Sequence, residues 1–205
     1  MLLRREMGVE EAGRRALMFV VVPIWLGAGI VDYVFHRRTR IEHTAGPKEA
    51  AVHVAMMTEA LIPSLMGLFL EVNAAVLATG MAALAAHQGT AMFDVRFAES
   101  RRRVLPGEQN THSFLEVVPI MGLTLLSVMH WDQLQALFGR GPERADFSFR
   151  PKSRPLPRAF LVANLAAIGV GAALYVEELV RCVRAAPTRK PLSREARTHR
   201  TSSST

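Results

Sequence analysis

Cysteine is almost absent from this 205-residue chain, which has only Cys182. One thiol cannot close an internal disulfide, and without a Cys-x-x-Cys pair there is no thiolate zinc site or dithiol redox centre. Aromatic residues make up 7% of the chain, and no DNA- or RNA-binding motif accompanies the net charge of +7. Nucleic acid is therefore not an expected partner. No internal repeat is visible. Cys182 lies beside Arg181 and Arg184 at the end of the last apolar block, a position open to acylation but more typical of an inert thiol.

Half of the residues are apolar, and they are bunched into long blocks. Such bunching marks an all-α polytopic membrane bundle, one domain by length. About five transmembrane helices can be drawn, over 16–35, 50–70, 72–93, 114–131 and 159–176. The first is long enough to cross a ~30 Å hydrocarbon core, at 1.5 Å per residue. The first block follows N-terminal arginines as a signal peptide would, but it is too long and lacks a small-x-small cleavage pattern. It reads as a retained span. Gly67, Gly80 and many alanines allow close helix approach. The segment 185–205 is basic, ends in "TSSST" and reads as a disordered tail.

Short-loop cations give an orientation. Arg37, Arg38, Arg40 and Lys48 follow the first span, and Arg96 with Arg101 to Arg103 follow the third. Both loops are assigned to the cytoplasm of a bacterial inner membrane. The stretch from Gly139 to Arg158, also basic, falls on the opposite side and conflicts with the rule.

On this topology the metal-ligand side chains gather at one end. Asp32 and His36 are four apart at the end of the first span, and Glu49 and His53 repeat the spacing at the start of the second. Residues four apart share a helix face. His87 and Asp94 close the third span; Glu108, His112 and Glu116 open the fourth; Glu42 and His43 lie in the first loop. Five of the seven histidines thus fall on one side, with His130 and His199 as the exceptions. Ionisable groups within a span cost roughly 2.5–3.5 kcal/mol each at its centre, and a shared divalent cation offsets that cost. A mixed imidazole and carboxylate set suits iron, manganese or zinc, and one this large can serve two ions. Taken singly, each residue also reads as an interfacial anchor, and Glu108 can cap its helix or pair with Arg101 to Arg103. Met56, Met57, Trp25 and Trp131 read as packing or interface residues.

The runs "DYVFHRRTRIEHTAGPKEAAVH" and "AAHQGTAMFDVRFAESRRRVLPGEQNTHSFLEVVP" resemble a family of small bacterial multi-span membrane proteins with no established activity, some of them labelled diguanylate cyclases. No GG-[DE]-EF signature is present, so the resemblance implies a membrane bundle and no cyclase chemistry. The histidine-rich face is similar in logic to membrane di-iron desaturases and hydroxylases, without their histidine boxes.

The expected function is a metal-dependent membrane enzyme, of the di-iron oxidoreductase type, acting on a lipid or other apolar substrate with the help of an electron donor. A zinc-type hydrolase and a non-enzymatic transporter or metal-handling protein are the alternatives. Candidate ligands are Asp32, His36, His43, Glu49, His53, His87, Asp94, Glu108, His112 and Glu116. Glu59, Arg37 and Arg40 are assigned to substrate.

Overall fold

The computed structural model describes residues 8–186. Most of the expected tail, and His199 with it, lies outside that range. The elements in chain order are α1 (Val9–Ala16), α2 (Val22–Arg38), α3 (Pro47–Phe69), α4 (Ala74–Glu99), α5 (Pro106–Met129), α6 (Trp131–Leu137) and α7 (Arg158–Ala185). Among the described residues there is no strand; a single bridge joins Leu70 and Pro151.

Proline and glycine set the boundaries. A π turn over Leu17–Val21 joins α1 to α2 in one rod, with the Val22 amide bonding back to the Leu17 carbonyl. Pro23 follows at once and has no amide to offer Phe19, which favours the wider turn there. Gly46, at φ 74°, reverses the chain ahead of Pro47, the first residue of α3. Only glycine adopts that φ without strain, and proline suits the first helical position. Asn73 caps α4 by accepting from the Val76 amide, and its own amide donates to the Ser148 carbonyl at 2.7 Å. Pro63 and Pro119 lie inside α3 and α5 and remove one backbone hydrogen bond each.

Four helical rods, Val9–Arg38, Pro47–Phe69, Pro106–Met129 and Arg158–Ala185, are long and apolar enough to cross a membrane. The expected third span corresponds to α4, 26 residues rich in alanine. It is as long as its neighbours but falls outside that group of four. Burial is inverted relative to a water-soluble protein. Phe19, Val31, Phe93, Phe114, Val128 and Val176 face outward, while Asp32, His36, Glu49, His53, Glu108 and Glu178 are buried. That pattern belongs to a protein whose solvent is lipid.

Two helices run further than the apolar runs foretold. α5 begins at Pro106 rather than near residue 114, and α7 continues to Ala185 rather than stopping near 176. In both extensions charged side chains turn inward and find partners, so the helix persists after apolarity ends. α3 packs on α4 and α7, and α2 packs on α5 and α7. Close approach depends on small residues: a Cβ at Gly80 would stand 3.0 Å from Leu123 Cδ1, and one at Gly171 2.8 Å from Met57 Cε. The segment 138–157 closes the end away from the polar cluster. Its backbone bonds to the α3–α4 turn through Glu71 N to Arg150 O, 2.8 Å, and Lys152 N to Phe69 O, 2.9 Å.

Candidate metal centre

Five helices deliver ionisable side chains to one end of the bundle. α2 supplies Asp32 and His36 one turn apart, α3 supplies Glu49 and His53, and α4 supplies Asp94. Glu108 and His112 come from α5, and Glu178 from α7. All eight are buried.

Glu178 organises two imidazoles. One oxygen accepts from His36 Nδ1 at 2.8 Å and the other from His53 Nδ1 at 2.6 Å. A carboxylate on Nδ1 fixes a proton there and turns Nε2 toward the other carboxylates of the cluster. His36 Nε2 then faces Asp32 Oδ1 and Glu108 Oε1, each at 3.5 Å, and His53 Nε2 faces Asp94 Oδ2 at 3.4 Å. His112 Nε2 lies 3.0 Å from Asp32 Oδ1. The Tyr175 hydroxyl donates to the other Asp32 oxygen at 3.4 Å.

A second layer surrounds Arg102, in the α4–α5 loop and buried. Its guanidinium binds Glu49, with Nη2 to Oε1 at 2.6 Å, and reaches Glu108 through Nη1 at 2.9 Å and through Nη2. Burial works against the charge, but Glu108 and Glu49 more than compensate and hold the Arg102 pKa above its ordinary value. Both ordinary readings of Glu108 hold: it pairs with Arg102 of the arginine run, and it accepts from the Leu105 amide at the start of α5 at 3.5 Å.

Charge bookkeeping leaves a deficit. Asp32, Glu49, Asp94, Glu108 and Glu178 are five buried carboxylates, and Arg102 is the buried guanidinium among them. With neutral imidazoles, four negative charges remain uncompensated out of contact with water. Protons on the histidines or bound cations must offset them. Asp32 Oδ1, His36 Nε2 and Asp94 Oδ1 are buried without a well-directed hydrogen bond among the described residues, although His112 Nε2 stands 3.0 Å from Asp32 Oδ1; Glu59 Oε2 and His87 Nδ1 are in the same condition. Orphaned ligand atoms of this kind are expected where an ion belongs. Two triads have ligand atoms close enough to hold one, Asp32–His36–His112 and His36–Glu49–His53. They share His36, so they overlap. Arg102 competes with an ion for Glu49, which leaves Asp32–His36–His112 as the better-formed set.

Beside the cluster lies a cavity of about 70 Å³ lined by Asp32, His53, His87, Asp94, His112 and Glu116. Further in, His87 Nδ1 faces Glu59 Oε2 at 3.7 Å, and Thr90 donates to the other Glu59 oxygen at 2.8 Å. His87 and Glu59 therefore form their own pair, nearer the middle of the bundle than the ligand triads.

Of the residues expected as ligands, the structure brings together Asp32, His36, Glu49, His53, Asp94, Glu108 and His112. His87 and Glu116 stand at the adjoining cavity. His43 does not join: it is exposed on a short 3-10 turn, while neighbouring Glu42 pairs with Arg181 of α7. Arg37 and Arg40 are exposed on the outer rim, and Arg37 lies 3.4 Å from Glu177. Glu178 and Tyr175 were not expected. The pair Glu177–Glu178 directly after an apolar run was the available signal, since it ends on the same side as the other ligand residues. Cys182 is fully buried among Ile41, Ala45 and Ala50, as an inert packing thiol would be.

The fold and site define a polytopic helical membrane protein with a buried histidine–carboxylate cluster at one end. No family model, curated protein or solved structure matches the chain.

Proposed function

We propose that this chain is a metal-dependent integral membrane enzyme, an oxidoreductase of the di-iron type acting on a lipid or other apolar substrate. The observation that carries the reading is the set of orphaned buried atoms, Asp32 Oδ1, His36 Nε2 and Asp94 Oδ1, within a cluster short of positive charge. Asp32, His36 and His112 would hold a first ion, and His53 with Asp94 would contribute to a second. Bound there, a redox-active divalent metal supplies one-electron chemistry and Lewis acidity.

The chain's own residues do the rest. Glu178 orients His36 and His53 through their Nδ1 protons, and Tyr175 steadies Asp32. Arg102 holds Glu49 and Glu108 in place. Glu59 and His87, beside the small cavity, are positioned to pass a proton between the cluster and the apolar interior. An oxidoreductase of this type needs an electron donor, and the cationic rim of Arg37, Arg38 and Arg40 faces the side we assign to the bacterial cytoplasm.

The transporter reading is less well supported. An ion path needs ionisable groups through the depth of the membrane, yet beyond Glu59 and His87 the interior is walled mainly by apolar residues such as Pro63, Leu68, Val76, Leu123 and Leu126, with Ser64 and Asn164 uncharged.

The test is oxygen consumption by detergent-purified protein loaded anaerobically with ferrous iron, supplied with a chemical electron donor and a long-chain alkyl substrate. Uptake that requires both additions and is lost in His112→Ala supports the reading. A protein that retains only zinc moves the reading to hydrolysis, and one that retains no metal ends it.

A further inference from the structure

A second cavity, of about 420 Å³, runs through the apolar interior. It falls in the size range of sites for single small ligands. Its mouth is at the end away from the cluster, lined by Glu10, Arg14, Glu71, His130, Lys152 and Arg154. The far end is lined by Glu59, Trp25, Ala60 and His87, and the last three also line the small cavity beside the cluster. Glu59 and Leu68, nine residues apart on α3, both border the space, so it extends about 14 Å along that helix at 1.5 Å per residue. The wall between is mainly apolar, with Ser64 and Asn164 as polar exceptions, and the two helix-interior prolines, Pro63 and Pro119, border it.

The mouth has an excess of positive charge, with Arg14, Lys152 and Arg154 against Glu10 and Glu71. Glu71 is occupied by the Ser153 amide at 2.7 Å, and Arg14 by Glu11. Lys152 is half-buried and makes no salt bridge among the described residues. Burial pushes its pKa below the ordinary lysine value, with Glu71 and Glu10 only partly restoring it. A desolvated ammonium at the head of a mainly apolar tunnel is complementary to an anionic head on a single apolar chain.

We propose that this cavity binds a long-chain fatty carboxylate, with its carboxylate at Lys152 and Arg154 and its tail directed past Trp25 and His87 toward the histidine–carboxylate cluster. Binding stands independently of the metal. That the occupant is the substrate, presented to the cluster tail first, rests on the proposed function.

Trp25 provides the readout, because bromine quenches indole fluorescence at contact. In Trp131→Phe, which leaves Trp25 as the remaining tryptophan, hexadecanoic acid brominated at its terminal carbon should quench saturably. The same acid brominated next to the carboxylate should quench far less. Lys152→Met should weaken the first effect by about tenfold or more, the loss of a charge-assisted hydrogen bond. Gly67→Leu, from a cavity-lining glycine whose added Cβ would meet only Leu126 at 3.9 Å, should abolish it. Gly122→Leu serves as a second filler should the first fail to fold.

Stronger quenching by the acid brominated near its head would overturn the orientation. Equal binding of the methyl ester would overturn the anionic head site. Quenching that survives both filling variants would come from the surrounding amphipath and would overturn the cavity site. Metal content measured on the same samples separates the two proposals. Binding to metal-free protein keeps this inference while the enzyme reading fails; metal without binding does the reverse.

Discussion

His36 and His53 stack face to face, their ring centroids 4.5 Å apart and their planes 7° from parallel. They come from different helices, and one carboxylate, Glu178, ties both Nδ1 atoms from a third. Glu178 thereby fixes the orientation of both rings, with each Nε2 turned toward the other carboxylates of the cluster.

Replacing Glu178 by glutamine tests this. The amide offers one acceptor where two imidazoles need one each, so one ring must turn or lose its partner. We expect a loss of roughly 1–3 kcal/mol in stability and a fall of about 10–100-fold in affinity for added divalent metal. Thermal unfolding in detergent and metal titration read the two effects. Unchanged affinity would make Glu178 a packing residue.

Arg102 should be the most sensitive position outside the ligands. Arg102→Met leaves Glu49 and Glu108 buried without a counter-charge and should cost about 3–5 kcal/mol, as broken buried ion pairs do. Adding Glu49→Gln and Glu108→Gln to the same chain should recover part of that loss. Arg102→Lys should not rescue, because a single ammonium cannot fork between two carboxylates. Unfolding temperatures of the set decide, and a triple variant no more stable than Arg102→Met would contradict the pairing.

At the opposite end, Asn73→Ala removes the α4 cap and the bond to Ser148. Stability should fall by about 1 kcal/mol, while bound metal stays at the wild-type level. A fall in metal content would link the two ends in a way the structure gives no reason to expect.

His130 gives a pH signature. Burial pushes its pKa below the ordinary histidine value, with nearby Lys152 adding to the shift. The unfolded chain therefore takes up a proton at a higher pH than the folded chain does. Stability contributed by this residue is intact above an unfolded pKa of about 6.5 and declines as pH falls through it. His130→Gln should flatten that part of the stability profile between neutral and mildly acidic pH, measured against wild type. An unchanged difference between the two proteins across that range would refute the shift.

Much of the site is legible in the sequence. Spacings of four put Asp32 with His36, Glu49 with His53 and Glu108 with His112 on common helix faces, and alternating spans brought those faces to one end. Two features escaped. Glu178 lies beyond the last apolar run, and hydropathy ends a helix where lipid contact ends rather than where inward pairing ends. His43 shares its side of the membrane with the ligands, but a loop residue has no helical periodicity to fix its direction, and it points to solvent. The choice of Arg102, among three consecutive arginines, as the clamp depends on loop geometry that spacing does not encode.

The central claim is that the buried cluster holds a divalent metal. Elemental analysis of wild-type protein, His112→Ala and His43→Ala, purified in detergent without added chelator, tests it most directly. The account predicts stoichiometric metal in the wild type and in His43→Ala, and its loss in His112→Ala. A folded wild-type protein free of metal, or equal metal in all three, would contradict it.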